Sequence, residues 1–554
     1  MNIHPHDMTL RVNLTGEPGS GPIRTHQPHY VSLKPPCNDA CPAGENIQAW
    51  LALARAGHFH KAWLTLVEDN PLPAVCGRVC YHPCETGCNR GELDSAVSIH
   101  AVERFLGDLA GEQGWQVPLA RFSGKRVLVV GAGPGGLSAA YHLRRLGHAV
   151  EIHEAGPLPG GMMHFGIPAY RLPREELMKE IGRIEGMGIS IVLNRKVDDL
   201  AAAQQAGHFD AVFVALGAQI GKRIEIPAFD SQRVLTAVKL LQASENGTPP
   251  KLGRVAVYGA GNTAMDAART AKRLGAEETT IIFFSDRQHM EAEAFEAEEA
   301  LSEGIRIKWL SSIRQIDDGQ IKLEIMALDA QGQPQPTGEF ETLQEDSVVL
   351  ALGQQADSSF LHKLPGIAFR PDGSLIVSPE MMTGAAGVFA GGDVVPGEHT
   401  VTVAIGNGKK AARHIDAWLQ GTPRAKIPTA PIVGFAMLNL PIYADAEPAQ
   451  QVEAAVAERV RDFSEIIAGL SQFDAVYEAK RCLSCGNCFE CDCCYAACPE
   501  QAIAKLGPGH GYRIDLDACT GCAVCVEQCP CHAMEMLPEP PHAAIVGANQ
   551  KAVA

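Results

Sequence analysis

The stretch "KRVLVVGAGPGGLSAAYHLRRLGHAVEIHEA", residues 125–155, decides the fold of this chain. An apolar strand, RVLVV, runs into a G-x-G-x-x-G turn formed by Gly131, Gly133 and Gly136. The first glycine permits the tight turn, the second lets a pyrophosphate approach the backbone, and the third lets the next helix pack on the strand. Glu154 ends the following strand, where a carboxylate can accept hydrogen bonds from ribose hydroxyls. The stretch therefore predicts a strand–helix–strand unit that binds a dinucleotide.

A second stretch, "GRVAVYGAGNTAMDAARTAKRLGAEETTIIFFSDR" (residues 253–287), repeats this order of strand, glycine turn, helix and strand. Gly259 and Gly261 form its turn, and Asn262 and Thr263 open its helix. The repeat predicts a second dinucleotide-binding domain of the same design.

The end of the second unit bears on the choice of cofactor. Asp286 takes the ribose position, where an acid favours NAD through its 2′-hydroxyl, and Arg287 beside it can accept the 2′-phosphate of NADP. These residues favour NAD slightly and leave NADP open. Two dinucleotide sites facing each other indicate a flavin and a nicotinamide, so we expect FAD and NAD(P).

The second unit is flanked by two similar short strands that end in a glycine turn, "FVALGA" (213–218) and "VLALGQ" (349–354), and "GVFAGGDVV" (387–395) follows. This order predicts one domain inserted into another, in an α/β fold of two nested Rossmann-like domains. We expect seven units: a mobile arm (1–30), a helical iron–sulfur domain (31–120), a discontinuous FAD-binding domain (121–217 and 353–425), an inserted NAD(P)-binding domain (218–352), a connector (426–480), a ferredoxin-like α+β domain (481–540) and a tail (541–554).

Composition narrows the class of protein. The net charge of −17 argues against nucleic-acid binding, which requires a basic surface. No run of about 18 apolar residues exists to span a bilayer, and the N-terminus has no apolar signal segment. The eighteen cysteines fall in two groups, six in residues 37–88 and twelve in residues 482–531. Grouping of this kind favours metal sites over a secreted disulfide framework, so we expect a cytoplasmic protein.

The C-terminal cysteines contain two complete bacterial ferredoxin runs, C-x2-C-x2-C-x3-C-P. In that arrangement the fourth cysteine of each run ligates the other cluster, which predicts two 4Fe–4S clusters. Zinc knuckles also use C-x2-C pairs, but two full runs that each end in Cys-Pro argue against zinc. The predicted ligand sets are Cys488, Cys491, Cys494 and Cys529 for one cluster, and Cys498, Cys519, Cys522 and Cys525 for the other.

Several stretches taken together resemble the small subunit of glutamate synthase and the N-terminal half of dihydropyrimidine dehydrogenase. They are "NPLPAVCGRVC", "GAGPGG", "GIPAYRLP", "GAGNTAMD" and "FAGGDV", and the resemblance covers about residues 37–420. It implies FAD on Gly131, Gly133, Pro134, Gly136, Glu154, Arg171, Gly392 and Asp393, and the nicotinamide cofactor on Gly259, Gly261, Asn262 and Thr263. Further candidate cofactor residues are Gly161, Thr400, Val401 and Gly353. Where the family commonly has two basic residues for the NADP phosphate, this chain has Phe284-Ser285, which weakens an NADP preference.

The same resemblance implies one or two further 4Fe–4S clusters in the N-terminal domain, where six cysteines stand at C-x3-C intervals. One cluster would use Cys41, Cys80 and Cys84, with Glu103 in a place where a relative uses Gln. A second would retain only Cys37 and Cys88, because the upstream "RCLxC" segment of the relatives is missing.

We hypothesise that "EAKRCLSC" (478–485), which resembles the missing segment, folds back and supplies Cys482 and Cys485 to that second cluster. The alternatives are free thiols in a linker or the absence of an N-terminal cluster. Cys76, Cys493 and Cys531 are expected to be non-coordinating thiols.

These parts predict an NAD(P)H-linked electron-transfer flavoprotein, because flavin accepts a hydride and releases electrons singly. Hydride transfer requires no protein acid, base or nucleophile, so we assign no catalytic side chain. The expected setting is a hetero-oligomeric complex with a catalytic redox subunit, such as a 2-oxoacid oxidoreductase, or exchange with a soluble ferredoxin. The alternatives are a stand-alone NAD(P)H:ferredoxin-type oxidoreductase and a non-enzymatic iron–sulfur redox module.

Overall fold

The computed structural model describes residues 24–222, 233–317, 319–422 and 429–539. Its N-terminal part is one strand followed by six helices, and the apolar face of the second helix, with Trp50 fully buried, packs in the core. Three of the short helices begin with proline. At this position the fixed φ of proline suits the helix, and its missing N–H removes no helical hydrogen bond. The elements are β1 (His26–Tyr30), α1 (Pro36–Ala40), α2 (Ile47–Arg55), α3 (Phe59–Leu66), α4 (Pro73–Val79), α5 (Pro83–Thr86) and α6 (Ile99–Gln113).

The first dinucleotide-binding unit forms as predicted. A Cβ on Gly131, at φ +106°, would lie 2.3 Å from the carbonyl oxygen of Ala215, and one on Gly136 would lie 1.9 Å from that of Gly131. Only glycine therefore fits this turn between strand and helix. The elements are β2 (Arg126–Val130), α7 (Pro134–Arg145), β3 (Ala149–His153), α8 (Met162–Phe165), α9 (Arg174–Glu185), β4 (Ser190–Val192), α10 (Leu200–Ala206) and β5 (Ala211–Val214).

The inserted unit contains the second glycine turn and a three-stranded antiparallel sheet, β11-β12-β13, that the sequence analysis did not predict. The elements are β6 (Ile220–Gly221), β7 (Val234–Thr236), α11 (Ala237–Glu245), β8 (Arg254–Tyr258), α12 (Asn262–Arg273), β9 (Glu278–Ile282), α13 (Ala294–Ser302), β10 (Arg306–Lys308), β11 (Ser311–Asp317), β12 (Gln320–Leu328), β13 (Pro334–Gln344), β14 (Ser347–Leu350) and β15 (Gln354–Gln355).

The chain then returns to the first unit through β16 (Val388–Ala390) and α14 (Val401–Gln420). Each unit contains a five-stranded parallel sheet, in the order β16-β5-β2-β3-β4 for the first and β10-β9-β8-β14-β7 for the second. Strands β6 and β15 pair where the chain leaves and re-enters. The predicted fold class, α/β with two nested Rossmann-like domains, is confirmed; the exact domain boundaries stay predictions.

The C-terminal part packs against the N-terminal helices. Helix α16 contacts α2 and α6, and the buried Arg481 at its end pairs with Glu478 at 3.0 Å and with Asp94 at 3.2 Å. The elements are α15 (Val456–Arg459), α16 (Gln472–Arg481), α17 (Cys493–Ala497), β17 (Ile503–Lys505), β18 (Tyr512–Ile514), α18 (Val524–Glu527) and β19 (Met534–Pro538). In the parts of the chain that the structure describes, no helix is long and apolar enough to cross a membrane.

The two chain ends require a correction to the predicted mobile arm. Residues 26–30 form β1, which pairs antiparallel with β19 of the C-terminal domain, and Gln27 and Pro28 are buried in that pairing. Residues 1–23 of the arm and the predicted tail, 541–554, lie outside the described residues.

Candidate active site and metal centres

One large cavity, of about 610 Å³, is lined by both dinucleotide-binding units and by the N-terminal helical domain. The predicted FAD residues converge on it from three stretches of the chain. Those that line it are Gly131, Gly133, Pro134, Glu154, Gly161, Arg171, Gly392, Asp393, Thr400 and Val401, and of the predicted set only Gly136 is not part of its wall. The cavity is large enough for a dinucleotide cofactor.

Glu154 lies directly after β3, and two backbone hydrogen bonds fix its carboxylate. Its Oε2 accepts a hydrogen bond from the backbone N–H of Ala132 at 2.7 Å, and its Oε1 accepts one from Gly156 at 2.7 Å. The carboxylate therefore faces the first glycine turn, where helix α7 begins and presents backbone N–H groups to a pyrophosphate.

The opposite wall is formed by the loop before α14. Thr400 caps this helix, with Oγ1 accepting a hydrogen bond from the N–H of Val403 at 3.2 Å. Burial raises the pKa of Asp393, and His399 opposes that rise. A second helix N-terminus thus points toward the cavity and offers further donors to a cofactor.

Arg171 joins the two dinucleotide-binding units. Its Nη1 lies 2.9 Å from both carboxylate oxygens of Asp266, and its Nη2 lies 2.5 Å from Oε1 of the buried Glu296. The sequence analysis assigned Arg171 to FAD and missed both partners. Asp266 follows Asn262 by one helical turn on α12, and that spacing was the available signal.

The predicted nicotinamide residues are divided. Asn262 and Thr263 line the large cavity, whereas Gly259, Gly261, Asp286, Arg287 and Gly353 are not part of its wall. Gly259 is required as glycine, because a Cβ there would lie 2.3 Å from the carbonyl oxygen of Ala351.

Asp286 does not end a strand as predicted, since β9 ends at Ile282. Its exposed carboxylate accepts hydrogen bonds from the N–H groups of Gln288 (3.1 Å) and His289 (3.2 Å), and lies 2.6 Å from His289 Nδ1. Arg287 is exposed and lies 3.4 Å from Glu298. Gly353 lies at the connection between the units, where its carbonyl accepts a hydrogen bond from Lys222 at 2.9 Å.

Cys41, Cys80, Cys84 and Glu103 form one buried group that approaches the large cavity at Cys80. Val79 and Tyr81, the two neighbours of Cys80, are part of the cavity wall. Burial raises the pKa of Cys84, and the nearby charges of Glu85, Cys80, Cys41 and Glu103 raise it further. Burial likewise raises the pKa of Glu103, and the nearby charges of Glu45 and Cys80 raise it further.

This set fits a cationic metal cluster. The buried thiols and the buried carboxyl repel one another's negative charge. They can all ionise only when a positive centre lies between them. Asn70 Nδ2 donates to Glu103 Oε1 at 2.7 Å and to Glu45 Oε1 at 3.0 Å, and thereby orients both carboxyls. Cys76 is also buried, near Glu103 and Cys80.

Four cysteines from three segments of the chain line a second, small cavity. They are Cys37, Cys88, Cys482 and Cys485. Burial raises the pKa of Cys37, and the nearby charges of Cys482, Cys88 and Cys485 raise it further. Asn89 Nδ2 lies 3.4 Å from Cys485 Sγ and can donate to a thiolate there. The structure therefore brings together the four residues of the hypothesised shared cluster, which also fit a cationic centre.

The ferredoxin runs lie in two neighbouring groups. Cys498, Cys519, Cys522 and Cys525 line one small cavity. Cys529 influences the pKa of Cys488, Cys491 and Cys494, so these four form the other group. Cys493 Sγ donates toward the carbonyl oxygen of Cys491 (3.9 Å), and Cys531 Sγ donates to that of Asn487 (3.2 Å).

One-turn helices connect neighbouring groups. Cys37 lies in α1 and Cys41 caps it, and Cys494 and Cys498 have the same relation to α17. Positions four apart on a helix have Cβ atoms about 5–6 Å apart, so each pair spans two adjacent groups. Cys84 and Cys88, and Cys525 and Cys529, have the same spacing.

Comparisons with known proteins agree with this geometry. Residues 125–408 match the family model of pyridine nucleotide-disulphide oxidoreductases, and residues 30–115 match that of dihydropyrimidine dehydrogenase domain II with its 4Fe–4S cluster. The chain is 35% identical over 528 residues to the beta subunit of NADP(+)-dependent formate dehydrogenase of Moorella thermoacetica, spanning 86% of this chain and 74% of that protein.

Two further relatives are similar over most of the chain. It is 33% identical over 505 residues to the beta subunit of NADPH-Fe(3+) oxidoreductase of Geobacter sulfurreducens strain PCA, spanning 81% of this chain and 75% of that protein. It is 31% identical over 420 residues to the small chain of glutamate synthase [NADPH] of Escherichia coli K12, spanning 70% and 89% respectively. The predicted resemblance, the oxidoreductase class and the cofactors FAD, NAD(P) and 4Fe–4S are confirmed, without a cluster count.

Proposed function

Because this chain belongs to the pyridine nucleotide-disulphide oxidoreductase family, we propose that it carries electrons between NAD(P)H and a catalytic partner through four groups of cysteine ligands. It is an NAD(P)H-dependent FAD and iron–sulfur oxidoreductase of the subunit type. When bound, FAD supplies hydride acceptance and single-electron release, and 4Fe–4S clusters carry single electrons.

The observation that carries the proposal is the continuity from the large cavity to the C-terminal cysteines. Val79 and Tyr81 face the cavity on either side of Cys80, so the polypeptide sets the first ligand group directly against the flavin site. Short helices then link this group to the next through Cys37 and Cys41, and the chain runs from Cys485 to Cys488 into the ferredoxin domain. Each link is a few residues long, which keeps successive carriers close.

We assign the ligand groups, in order from the flavin, as Cys41, Cys80, Cys84 and Glu103; Cys37, Cys88, Cys482 and Cys485; Cys488, Cys491, Cys494 and Cys529; and Cys498, Cys519, Cys522 and Cys525. Mutual charge influence within each of the first three groups, and a common small cavity for the fourth, support this assignment.

The protein's own role at the flavin is to bind and orient. Glu154 and the glycine turn hold the ribose and pyrophosphate, and Arg171 with Asp266 holds the nicotinamide unit against the flavin unit. Asn262 and Thr263 reach into the same cavity, which supports close approach of the two cofactors.

The substrate chemistry lies on a partner in this proposal. Relatives that are beta subunits or small chains of larger enzymes support membership of a complex. We propose a 2-oxoacid oxidoreductase or a formate dehydrogenase-type subunit as the partner class, and soluble ferredoxin as the alternative. The grouping of the cysteines supports a reducing, cytoplasmic setting.

The experiment is purification of the chain from its native host under anaerobic conditions, with and without added salt to dissociate partners. We expect a catalytic redox subunit to co-purify, and the isolated chain to reduce viologen dyes with NAD(P)H. Dye reduction by a chain with which no catalytic subunit co-purifies would favour the stand-alone oxidoreductase. Absence of NAD(P)H-dependent reduction in the cofactor-loaded chain would contradict both readings and favour a redox module without enzymatic activity.

A further inference from the structure

The strand β1 is an integral part of the C-terminal iron–sulfur domain. All five of its residues pair with β19, from His26 opposite Pro538 to Tyr30 opposite Met534. The pairing continues beyond the strand, since the N–H of Val31 donates to Ala533 at 3.0 Å and the N–H of Leu33 donates to Gly486 at 3.1 Å. These backbone hydrogen bonds hold the last residue of β1, Tyr30, in a defined position beside the ferredoxin cysteines.

Tyr30 contacts a predicted cluster ligand directly. Its hydroxyl oxygen lies 3.2 Å from Sγ of Cys494, a buried residue. Its ring stacks on Tyr512 with a centroid distance of 6.3 Å and an interplanar angle of 16°. Tyr512 directs its own hydroxyl away from sulfur, to Asp492 Oδ1 at 2.7 Å. Only the first of the two stacked tyrosines therefore reaches a cysteine.

The direction of the hydrogen bond follows from the ligand role of Cys494. A cysteine that ligates iron is a thiolate and has no proton to give, so the tyrosine hydroxyl must be the donor. Hydrogen bonds to cluster sulfurs are one of the features that set the reduction potential of an iron–sulfur centre. A donor withdraws negative charge from the sulfur and stabilises the reduced cluster, which is the more negative form.

We propose that Tyr30 raises the reduction potential of the cluster held by Cys488, Cys491, Cys494 and Cys529, by donating a hydrogen bond to the Cys494 thiolate. Tyr30 acts on electron transfer through Cys494 and is therefore a positioning residue. Strand β1, near the N-terminus, holds it beside the C-terminal ferredoxin domain. The inference rests on the proposed function, because it requires Cys494 to be a cluster ligand.

The test is Tyr30→Phe in the full-length, cofactor-loaded chain, with Tyr512→Phe as the matched control. Both changes remove one hydroxyl and keep the stacked rings, but only Tyr30→Phe removes a donor to sulfur. Potentials are measured by redox titration followed by electron paramagnetic resonance, and Fe–S(Cys) stretching frequencies by resonance Raman spectroscopy.

We expect Tyr30→Phe to shift one cluster midpoint potential to a more negative value and change the Fe–S(Cys) frequencies, with iron content unchanged. Tyr512→Phe should leave both as in the wild type. Unchanged potentials in Tyr30→Phe, an equal shift in Tyr512→Phe, or loss of iron from Tyr30→Phe would each overturn the proposal. NAD(P)H-dependent flavin reduction by the wild-type chain tests the proposed function independently, so the two failures are distinguishable.

Discussion

Arg171 and Asp266 form a buried ion pair between the two dinucleotide-binding units, with Arg171 Nη1 2.9 Å from each carboxylate oxygen of Asp266. Both side chains are 10% exposed, and both residues line the large cavity. The pair is therefore both a connection between domains and a part of the site wall. Its geometry sets how the nicotinamide unit faces the flavin unit.

We expect Asp266→Ala to destabilise the closed arrangement of the two units by about 3 kcal/mol, because it leaves a buried guanidinium with one fewer partner. Flavin reduction by NAD(P)H, followed by stopped-flow absorbance, should slow at least tenfold with FAD content retained. Lys179→Met, at the exposed contact with Glu175 and Glu176, is the control and should change stability by less than about 1 kcal/mol. A wild-type reduction rate in Asp266→Ala would contradict this role.

The shared N- and C-terminal ligand group makes a prediction about iron content. Joint replacement of Cys482 and Cys485 by Ser should cost about four irons per chain, since both line the cavity with Cys37 and Cys88. Cys493→Ser, at a thiol directed to a backbone carbonyl, should keep all the iron. Iron and sulfide analysis of the anaerobically purified chains decides the matter, and unchanged iron in the double variant would rule out the shared cluster.

The assignment of Glu103 as a cluster ligand gives a second prediction about iron content. Glu103→Ala removes the fourth predicted ligand of the group nearest the flavin, and we expect a cluster that is lost on purification, about four irons per chain. Glu45→Gln is the control, because Glu45 is equally buried and shares Asn70 but is not an assigned ligand. Equal iron in the Glu103→Ala variant and the wild type would show that the fourth ligand is another group.

Glu180 makes the stability of helix α4, which ends at the predicted ligand Cys80, dependent on pH. The N–H groups of Ala74 and Val75 donate to its carboxyl at 3.1 and 3.0 Å, and burial raises its pKa from 4.5 to about 7. The folded chain therefore holds this proton at pH values where the unfolded chain has released it. Stability from this group is fully present below about pH 4.5 and is lost as the pH rises through about 7, a change of roughly 3 kcal/mol.

Glu180→Gln should flatten this part of the pH profile, because the amide keeps an acceptor for the helix N-terminus and cannot ionise. Thermal unfolding midpoints of variant and wild type between pH 5 and pH 8 measure the effect. Glu185→Gln, at an exposed position of α9, the helix that carries Glu180, should keep the wild-type profile. Parallel profiles for Glu180→Gln and the wild type would contradict the prediction.

The strand–helix–strand units and the cysteine runs of this protein can be predicted from its sequence. A Cβ on Gly136 would lie 1.9 Å from the carbonyl oxygen of Gly131, so this turn requires glycine for steric reasons within one strand–helix–strand unit, and each ferredoxin run places three ligands of one cluster within a few residues. Both are short-range constraints, so spacing alone predicted the nested domains, the two cofactor classes and the C-terminal ligand groups.

Relationships across long stretches of chain were decided by the tertiary structure. Tyr30 meets Met534 across a strand pair whose members are more than 500 residues apart, and the sequence analysis placed Tyr30 in a mobile arm. Asp266 reaches Arg171 only because the inserted unit closes on the first. Cys482 could be proposed as a partner of Cys37 from a resemblance, but their common cavity exists because α16 packs on α2 and α6. Turn geometry and the spacing within one cysteine run act over a few residues, whereas a contact between distant segments depends on which packed surfaces bury the most apolar area together.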